Sequence, residues 1–448
     1  MNLGYLMLSL LSAVSLYRSN QEKVLDNLPQ VYTELELAIS ILVPAFNEEA
    51  TIVASVQSML QLTYSEYEII VINDGSRDQT LAVLVNAFSL TPFPESARGQ
   101  ITTQTIRELY RSTRYPNLRV IDKLNGGKAD SLNAGINASR HPLFCAVDAD
   151  SVLERDGLQR LVKPFLRSQE MVVTGGSIRV ANGCDVKDGY LTRVGLPSNP
   201  WAMLQVVEYL RAFLFGRQGW SVINAMLIIS GAFGLFKTET VIEVGGYRTN
   251  TIGEDMELVV RLHRLLRQSG RPCRIEFVSE SVCWTEVPED RKTLRNQRIR
   301  WQRGLCESLT SNWGLMFSRN GGAAGWIAFP FMVVFEWLGP LVELGGYLFM
   351  VFAFSAGLVS WSAFATFLFM AISLGILLSA SSLVLEEMSF HMYPKARQLA
   401  ALGLVAVLEN FGYRQLNTLW RLTGLYRWTL QSESHWGAMK RKGNWQSK

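Results

Sequence analysis

Residues 68–76 read EIIVINDGS, an uninterrupted apolar run that stops at an Asn-Asp-Gly turn. A second run, AISILVP at 38–44, ends in a proline, and two more lie at 118–121 and 143–147. Apolar strands that alternate with helical segments are typical of a mostly parallel sheet covered on both faces. The pattern therefore predicts an α/β domain over residues 36–285. Within it, the stretch 92–115 is polar and irregular, and we expect it to be a surface excursion.

Polar motifs follow these predicted strands. They are the turn at 44–49, Asp74, Lys128 in the stretch NGGKAD at 125–130, and the pair Asp148 and Asp150. Ligands of parallel sheets bind at the carboxyl ends of the strands, so we expect these motifs to converge. Lys128 follows two glycines at a predicted helix start, which presents N–H groups and an ammonium to phosphate. The alternative is a solvated lysine after a glycine turn.

Asp148-Ala149-Asp150 leaves a strand with two carboxylates at i and i+2. Such a pair holds a divalent cation when substrate phosphates supply further oxygens. Asp-x-Asp is also common as a turn or helix cap, and Asp74 has its own alternative as an Asp-Gly turn former. The shared position at strand ends favours ligand roles for all three residues.

Two later motifs carry charge. Glu254-Asp255 precedes a run with helical spacing, where acids stabilise the helix dipole; Asp255 also suits a general base beside an acceptor hydroxyl. The stretch QRIRW at 297–301 lies on a predicted amphipathic helix. Arg300 suits a pyrophosphate and Trp301 a sugar ring, whereas binding to anionic lipid would explain the arginines without catalysis.

Apolar runs follow the α/β domain. Residues 323–358 and 361–385 exceed the length needed to span a bilayer, and 399–408 is a third, short run. The first contains Glu336 and Glu343, which predicts either a wet cavity or packing against another helix with a shared proton.

Residues 3–17 are apolar but too short to span. Arg18 and Lys23 after this segment favour a cytoplasmic location for the catalytic domain. The basic cluster at 440–442 should also prefer the cytoplasm, which favours an even number of spans after that domain. The parity of the spans stays open.

Length, charge and cysteine content narrow the possible classes of protein further. A chain of 448 residues predicts two or three structural units. The net charge of +4 is too small to indicate a nucleic-acid partner. Five scattered cysteines without a Cys-x-x-Cys pair predict a reduced compartment, with no disulfide frame and no zinc site.

The ordered motifs resemble the family 2 glycosyltransferases with a GT-A (Rossmann-like) fold, in particular the membrane-integrated processive group that makes cellulose, hyaluronan, chitin and poly-N-acetylglucosamine. The similarity covers roughly residues 36–310. Its most specific part is QRIRW at 297–301, which satisfies the family pattern Gln-(Gln/Arg)-x-Arg-Trp in full. One departure is Gly253, where many relatives have threonine in a Thr-Glu-Asp triplet.

The resemblance implies a role for each motif. Asp255 would be the catalytic base, and Asp148 and Asp150 would hold a divalent cation, Mg²⁺ or Mn²⁺. The implied donor-binding residues are Pro44, Asn47, Glu48, Asp74, Lys128, Asp148 and Arg300. The implied acceptor-binding residues are Ser230, Gly231, Glu254, Gln297 and Trp301.

The implied function is an inverting, processive transferase that polymerises a UDP-sugar into a β-linked exopolysaccharide. UDP-N-acetylglucosamine is favoured by analogy, followed by UDP-glucose. The implied partners are the UDP-sugar, the growing polysaccharide, the lipid bilayer and accessory export proteins. The implied location is the inner or plasma membrane, multi-pass, with the catalytic domain in the cytoplasm.

Two other functions stay open. One is a non-processive transferase with a lipid-linked acceptor, a group that commonly lacks the QRxRW element. The other is a transport protein with a nucleotide-binding regulatory domain; few spans and the lack of a Gly-x-x-x-x-Gly-Lys-Ser/Thr loop argue against it.

Five segments follow from this interpretation. They are an N-terminal membrane or interfacial helix and linker (1–35), the GT-A domain (36–285), interfacial amphipathic helices with the QRxRW motif (286–321), transmembrane α-helices (322–416) and a basic C-terminal tail (417–448).

Overall fold

The computed structural model describes residues 2–26, 37–94, 99–187 and 189–431. The strands are β1 (Ile39–Ala45), β2 (Tyr67–Asn73), β3 (Leu90–Pro92), β4 (Ile106–Ser112), β5 (Leu118–Lys123), β6 (Leu143–Val147), β7 (Ser151–Leu153), β8 (Met171–Val180), β9 (Asp185–Lys187), β10 (Tyr190–Arg193), β11 (Phe233–Lys237) and β12 (Arg274–Thr285).

The helices alternate with these strands and then continue alone. They are α1 (Asn2–Asp26), α2 (Ile52–Met59), α3 (Thr80–Phe88), α4 (Lys128–Ala138), α5 (Gly157–Arg167), α6 (Pro200–Arg211), α7 (Gln218–Val222), α8 (Thr238–Glu243), α9 (Glu254–Gln268), α10 (Arg291–Ser311), α11 (Phe329–Phe331), α12 (Gly339–Ser355), α13 (Trp361–Ser389), α14 (Ala396–Leu408) and α15 (Tyr413–Thr429). Three π-helical turns lie at 212–217, 324–328 and 332–337.

One ten-stranded sheet organises the described part of the α/β domain, in the order β3-β4-β5-β2-β1-β6-β11-β8-β12-β7. The centre, β5-β2-β1-β6, is parallel, as is the pair β8–β12, and antiparallel strands complete the sheet. The central strands are buried on both faces, because helices cover the sheet. The predicted α/β class is confirmed.

Residues 92–115 were expected to be an irregular surface excursion, and they contain a strand instead. β4 pairs antiparallel with β5, and only the three-residue β3 lies beyond it. Two β4 residues, Arg107 and Glu108, are exposed to solvent, and most of the others are only half-buried. A charged strand near the edge of a sheet buries few side chains, so its sequence lacks the apolar pattern of a strand and resembles that of a loop.

The apolar helices differ in length. Within the described residues, α13 is the one helix long and apolar enough to cross a membrane. Residues 324–337 and α12 meet the same test together, but they are bent by 49° at their junction. The bend coincides with Gly339-Pro340, where proline removes a helical N–H donor. The predicted third run forms α14, only 13 residues long.

The acidic residues of the apolar segments pack against other elements. Glu336 pairs with Arg421 of α15 at 2.9 Å, and Glu343 accepts a hydrogen bond from Thr418 at 2.9 Å. Glu386 near the end of α13 forms a buried ion pair with Arg179 of β8 at 2.7 Å. Glu336 and Glu343 therefore pack against another helix, whereas a shared proton stays a prediction.

Two predicted segments differ from their sequence-based assignment in where they pack. Residues 417–429 are not part of a tail, because α15 runs to Thr429 and packs on α10, and the basic residues at 440–442 lie outside the described residues. Leu294 and Ile299 of α10, expected at a bilayer surface, pack instead with Tyr413 and Trp420 of α15.

Candidate active site

The carboxyl ends of β1, β2, β5 and β6 meet at one edge of the sheet. The turn after β1, the Asp74 loop after β2 and Asp148 after β6 all lie there. Lys128, the first residue of α4, reaches across the edge, with its Nζ 2.6 Å from Oδ1 of Asp148. The strand-end motifs therefore converge as the alternation of strands and helices predicts.

Lys128 lies among carboxylates. Its Nζ is 3.6 Å from Oε1 of Glu254 and donates to the carbonyl of Gly231 at 3.2 Å. Burial acts to lower the pKa of Lys128, but Asp148 and Glu254 outweigh it and hold that pKa above its usual value. The side chain is therefore a fixed positive charge at the start of a helix, where anions bind.

Asp255 lies on the other side of the same glycine. Its Oδ2 accepts a hydrogen bond from the Gly231 N–H at 3.0 Å, and its Oδ1 accepts one from the Met256 N–H at 2.7 Å. A Cβ at position 231 would lie 3.0 Å from Nζ of Lys128 and 3.2 Å from Oδ2 of Asp255. A side chain at position 231 would therefore crowd both the ammonium of Lys128 and the carboxylate of Asp255. Ser230 precedes it, and its Oγ accepts from the Ala232 N–H.

Glu254 begins α9 beside Asp255. Burial raises the pKa of Glu254 to about 7, with Lys128 opposing the rise and Asp255 adding to it. Two adjacent carboxyls therefore differ in environment, since Glu254 faces the ammonium of Lys128 and Asp255 accepts backbone N–H groups.

Asp148 and Asp150 point to different surroundings. Asp148 is 28% exposed and contacts Lys128, whereas Asp150 is buried and accepts a hydrogen bond from Thr285 at 3.3 Å. The described residues contain no group of three His, Cys, Asp or Glu side chains placed to hold a metal ion. Two carboxylates still fit Mg²⁺ or Mn²⁺, because such ions commonly take their remaining ligands from phosphate and water.

Asp74 organises the glycine loop before Lys128. Its Oδ1 accepts from Nζ of Lys123 at 2.6 Å and from the Gly126 N–H at 2.9 Å, while Oδ2 accepts from the Gly127 N–H at 2.8 Å. The loop thus positions α4 and Lys128. A contact of Asp74 with base or ribose stays a prediction. Lys123, which no sequence motif singles out, is a buried lysine that also pairs with Asp130 at 2.6 Å.

The turn after β1 is pinned to the loop after β2. Pro44 lies within β1, and Asn47 adopts a positive φ of 56°. The Asn47 N–H donates to Oγ of Ser76 at 3.1 Å, and the Glu48 N–H donates to Oγ1 of Thr80 at 2.8 Å. The predicted donor-binding residues of this turn therefore share one wall with the 75–80 segment.

A cavity of about 510 Å³ opens beside this wall. It is lined by Phe46, Gly75, Ser76, Arg77, Gln104, Arg107, Leu124 and Asn125. Apolar surfaces, amides and guanidinium groups together suit a planar base and a ribose. Gln104 and Arg107 were missed because they lie in the stretch expected to be an irregular excursion; the signal would have been the partial strand pattern of β4.

The QRIRW motif lies on α10. Trp301 is 46% exposed and stacks on the guanidinium of Arg298, 4.3 Å from the ring centroid. Arg298 is buried and pairs with Glu208 at 2.7 Å. Gln297 and Arg300 are half-buried. The exposed indole is thus backed by a buried ion pair.

Glycines join α10 to the loop before Asp255. A Cβ at Gly304 would lie 2.9 Å from the backbone N and Cα of Gly253. Glu307 accepts a hydrogen bond from the Ile252 N–H at 2.8 Å. The motif helix therefore touches the loop that precedes Glu254 and Asp255, both through the backbone of the two glycines and through the Glu307 carboxylate.

Comparisons with protein families find two matching models. "Glycosyltransferase like family 2" matches residues 100–304, and "Glycosyl transferase family 2" matches residues 40–98. A poly-beta-1,6-N-acetyl-D-glucosamine synthase of Staphylococcus epidermidis is 28% identical over 272 residues, which are 60% of this chain and 55% of the synthase. The same-named enzyme of Staphylococcus aureus strain COL is 27% identical over 286 residues, 64% of this chain and 58% of the relative. The chain thus spans little more than half the length of these relatives.

A solved structure shares the fold. It is the mannosyltransferase PcManGT from Pyrobaculum calidifontis in complex with GDP-Man and Mn²⁺, 16% identical, with a TM-score of 0.53. The likeness covers 95% of this chain and 100% of the mannosyltransferase. It confirms the GT-A architecture expected from the motifs.

Proposed function

A glycosyltransferase family 2 domain spans residues 40–304, and from this premise we propose that the chain transfers a sugar from a UDP-sugar to a growing β-linked polysaccharide. N-acetylglucosamine is the proposed sugar, because the matched relatives are named for its β-1,6-linked polymer. Glucose is the second choice.

One observation carries the proposal: the backbone of Gly231 is hydrogen-bonded to a cationic side chain at its carbonyl and to a carboxylate at its N–H. Its carbonyl accepts from Nζ of Lys128 at 3.2 Å, and its N–H donates to Oδ2 of Asp255 at 3.0 Å. A cation for a diphosphate and a carboxylate for a proton therefore lie within a few ångströms. That arrangement suits displacement of a nucleoside diphosphate by a hydroxyl.

Asp255 is the proposed general base. Each of its oxygens accepts one backbone N–H bond, which leaves further lone pairs for an acceptor hydroxyl. As the hydroxyl oxygen attacks the anomeric carbon, its proton passes to Asp255 and the bond to the diphosphate breaks. A single displacement inverts the anomeric centre, so an α-linked donor gives a β-linkage.

The donor would lie along the strand ends. The base and ribose would occupy the cavity between Phe46 and Arg107, with Asp74 shaping the loop below. The diphosphate would extend to Lys128, whose ammonium would donate to its oxygens. A divalent ion held by Asp148 and Asp150 would, when bound, stabilise the charge of the leaving group.

The acceptor would approach from α10. Trp301 would stack on the terminal sugar, with Gln297, Ser230 and Glu254 beside it, while Arg300 would meet the diphosphate. We further propose that the apolar helices after residue 322 anchor the chain in a membrane, with the catalytic domain at the cytoplasmic face. The polymer would be exported across this membrane.

The test uses the full chain purified in detergent. UDP-N-acetylglucosamine, UDP-glucose and GDP-mannose are supplied separately; nucleotide release is followed and the products are sized. UDP release with long products is expected for one UDP-sugar. If the products are single sugars on a lipid, the chain is the non-processive transferase and not a polymer synthase. If no donor is turned over, the proposal is refuted.

A matched pair of variants assigns the activity to the site. Asp255→Asn should abolish most transfer. Asp156→Asn alters a partly exposed carboxylate that pairs with Arg160 on α5, so it should keep wild-type transfer.

A further inference from the structure

The residue after the QRIRW motif faces away from the proposed acceptor. Gln302 is 3% exposed, whereas its neighbour Trp301 is 46% exposed. Successive helix residues differ by about 100° around the axis, so the two side chains occupy different faces of α10. Gln302 points toward the bend in the apolar segments.

The side-chain amide of Gln302 makes three hydrogen bonds, and both of its N–H donors are used. Its Nε2 donates to the carbonyls of Glu336 at 3.3 Å and of Trp337 at 3.2 Å. Its Oε1 accepts from Nε of Arg421 at 2.8 Å. A buried amide satisfied in this way holds three segments of the chain in one arrangement.

The two carbonyls are open because the helix breaks after them. In a continuous helix the Glu336 carbonyl would accept from residue 340, but Pro340 has no N–H. The Trp337 carbonyl would accept from Leu341, whose N–H donates to Leu338 instead. Gln302 therefore replaces donors that the bend removes, together with Arg421, whose Nη2 also donates to the Glu336 carbonyl.

Arg421 closes the arrangement from α15. Its Nη2 lies 2.9 Å from Oε2 of Glu336, and the other carboxylate oxygen accepts from the hydroxyl of Tyr5 in α1. A Cβ at Gly424 would lie 2.9 Å from Cβ of Gln302, so α15 packs directly on α10.

We propose that Gln302 and Arg421 are positioning residues for the transfer reaction. They fix α10, and with it Trp301, relative to the bend of the apolar segments, so that the acceptor end meets Asp255 in register. The inference rests on the proposed function, and it assigns the pair to the acceptor side only. Neither side chain touches the donor cavity or the carboxylates around Lys128 in the contacts described above.

The test separates acceptor-dependent from acceptor-independent turnover. Gln302→Met keeps length and volume but cannot bond to the carbonyls. Polymer synthesis should fall by roughly 10- to 100-fold, the scale of a displacement near 1 Å. UDP affinity and the slow hydrolysis of donor by water should stay within about twofold of wild type, because they need no acceptor register.

Two further variants keep the test decisive. Arg421→Lys retains charge but loses the planar fork that joins Gln302 to Glu336, and it should show the same split. The double variant should be no worse than the poorer single variant, because both act through one network. Thr418→Val, on the same helix, removes a hydroxyl bonded to Glu343 and to the Arg414 carbonyl but leaves the Gln302–Arg421 contacts in place, so it should keep polymer synthesis.

Parallel loss of polymer synthesis and hydrolysis, or wild-type synthesis in both single variants, would overturn the inference. A wild-type protein that turns over no sugar nucleotide would instead defeat the proposed function. The two failures are therefore distinguishable in one set of assays.

Discussion

Replacing Gly304 by alanine should put a methyl group into the contact between α10 and the loop of Asp255. The added Cβ would lie 2.9 Å from both N and Cα of Gly253. These neighbours are backbone atoms, which cannot rotate away as a side chain would. The loop is also held to α10 by Glu307, so the strain falls on the relative position of the helix and the loop.

The size of the effect follows from the contact distance. Carbon atoms prefer separations of about 3.5–4.0 Å, so α10 and the loop must part by roughly 0.5–1 Å. A misplacement on that scale costs about 10- to 100-fold in rate. Overpacking costs about 1–3 kcal/mol, and the higher helix propensity of alanine offsets about 1 kcal/mol of it. The fold should therefore survive while transfer falls.

The assay measures the initial rate of polymer formation, UDP affinity and thermal unfolding. Gly403→Ala is the matched control, because Gly403 lies in α14 with no heavy atom within 4 Å of an added Cβ. It should keep the wild-type rate. Wild-type transfer in Gly304→Ala would refute the reasoning, and an equal loss in Gly403→Ala would show that the rate responds to helix propensity instead.

Four further predictions address individual side chains. Asp255→Asn should lower turnover by roughly 10²- to 10⁴-fold with donor binding retained, the usual share of a general base; loss of UDP-sugar affinity, measured by calorimetry, would make it a donor-binding residue. Asp150→Asn and excess EDTA should each abolish transfer without unfolding the protein, and full activity in EDTA would remove the metal. Trp301→Ala should reduce polymer synthesis far more than donor hydrolysis, with Trp301→Phe intermediate; parallel losses together with weaker membrane partition would indicate an anchor. Burial raises the pKa of Glu254 from 4.5 to about 7, so the folded state binds this proton more tightly than the unfolded state does. The resulting stability is present at low pH and is lost as the pH rises toward 7. The melting temperature of Glu254→Gln relative to wild type should therefore increase between pH 5 and pH 8.

Local signals explain what the sequence predicts well. The apolar runs at 38–44 and 68–72 form β1 and β2 because β-type side chains are continuous there and polar turns end them. Lys128 begins α4 after Gly127, which has a φ of 88° that only glycine adopts without cost. Each of these features depends on a few neighbouring residues.

Features that depend on distant pairing escape the sequence. Lys123 is buried because Asp74, far away in the chain, and Asp130 both accept from it. A charged residue inside an apolar strand carries no mark of such partners. β4 is similar, since its pairing with β5 creates the wall that holds Arg107 beside the cavity.

The departure at Gly253 shows how a site motif and a packing contact can be one feature. In the sequence, Gly253 is only a departure from the Thr-Glu-Asp triplet of many relatives. In the structure, a Cβ at position 253 would lie 3.0 Å from Cα of Gly304 and 3.1 Å from its carbonyl oxygen. A side chain at either position would separate α10 from the start of α9, because the neighbouring atoms are backbone. The two glycines therefore act as a pair, and the helix that carries Trp301 is placed against Asp255 by the absence of side chains.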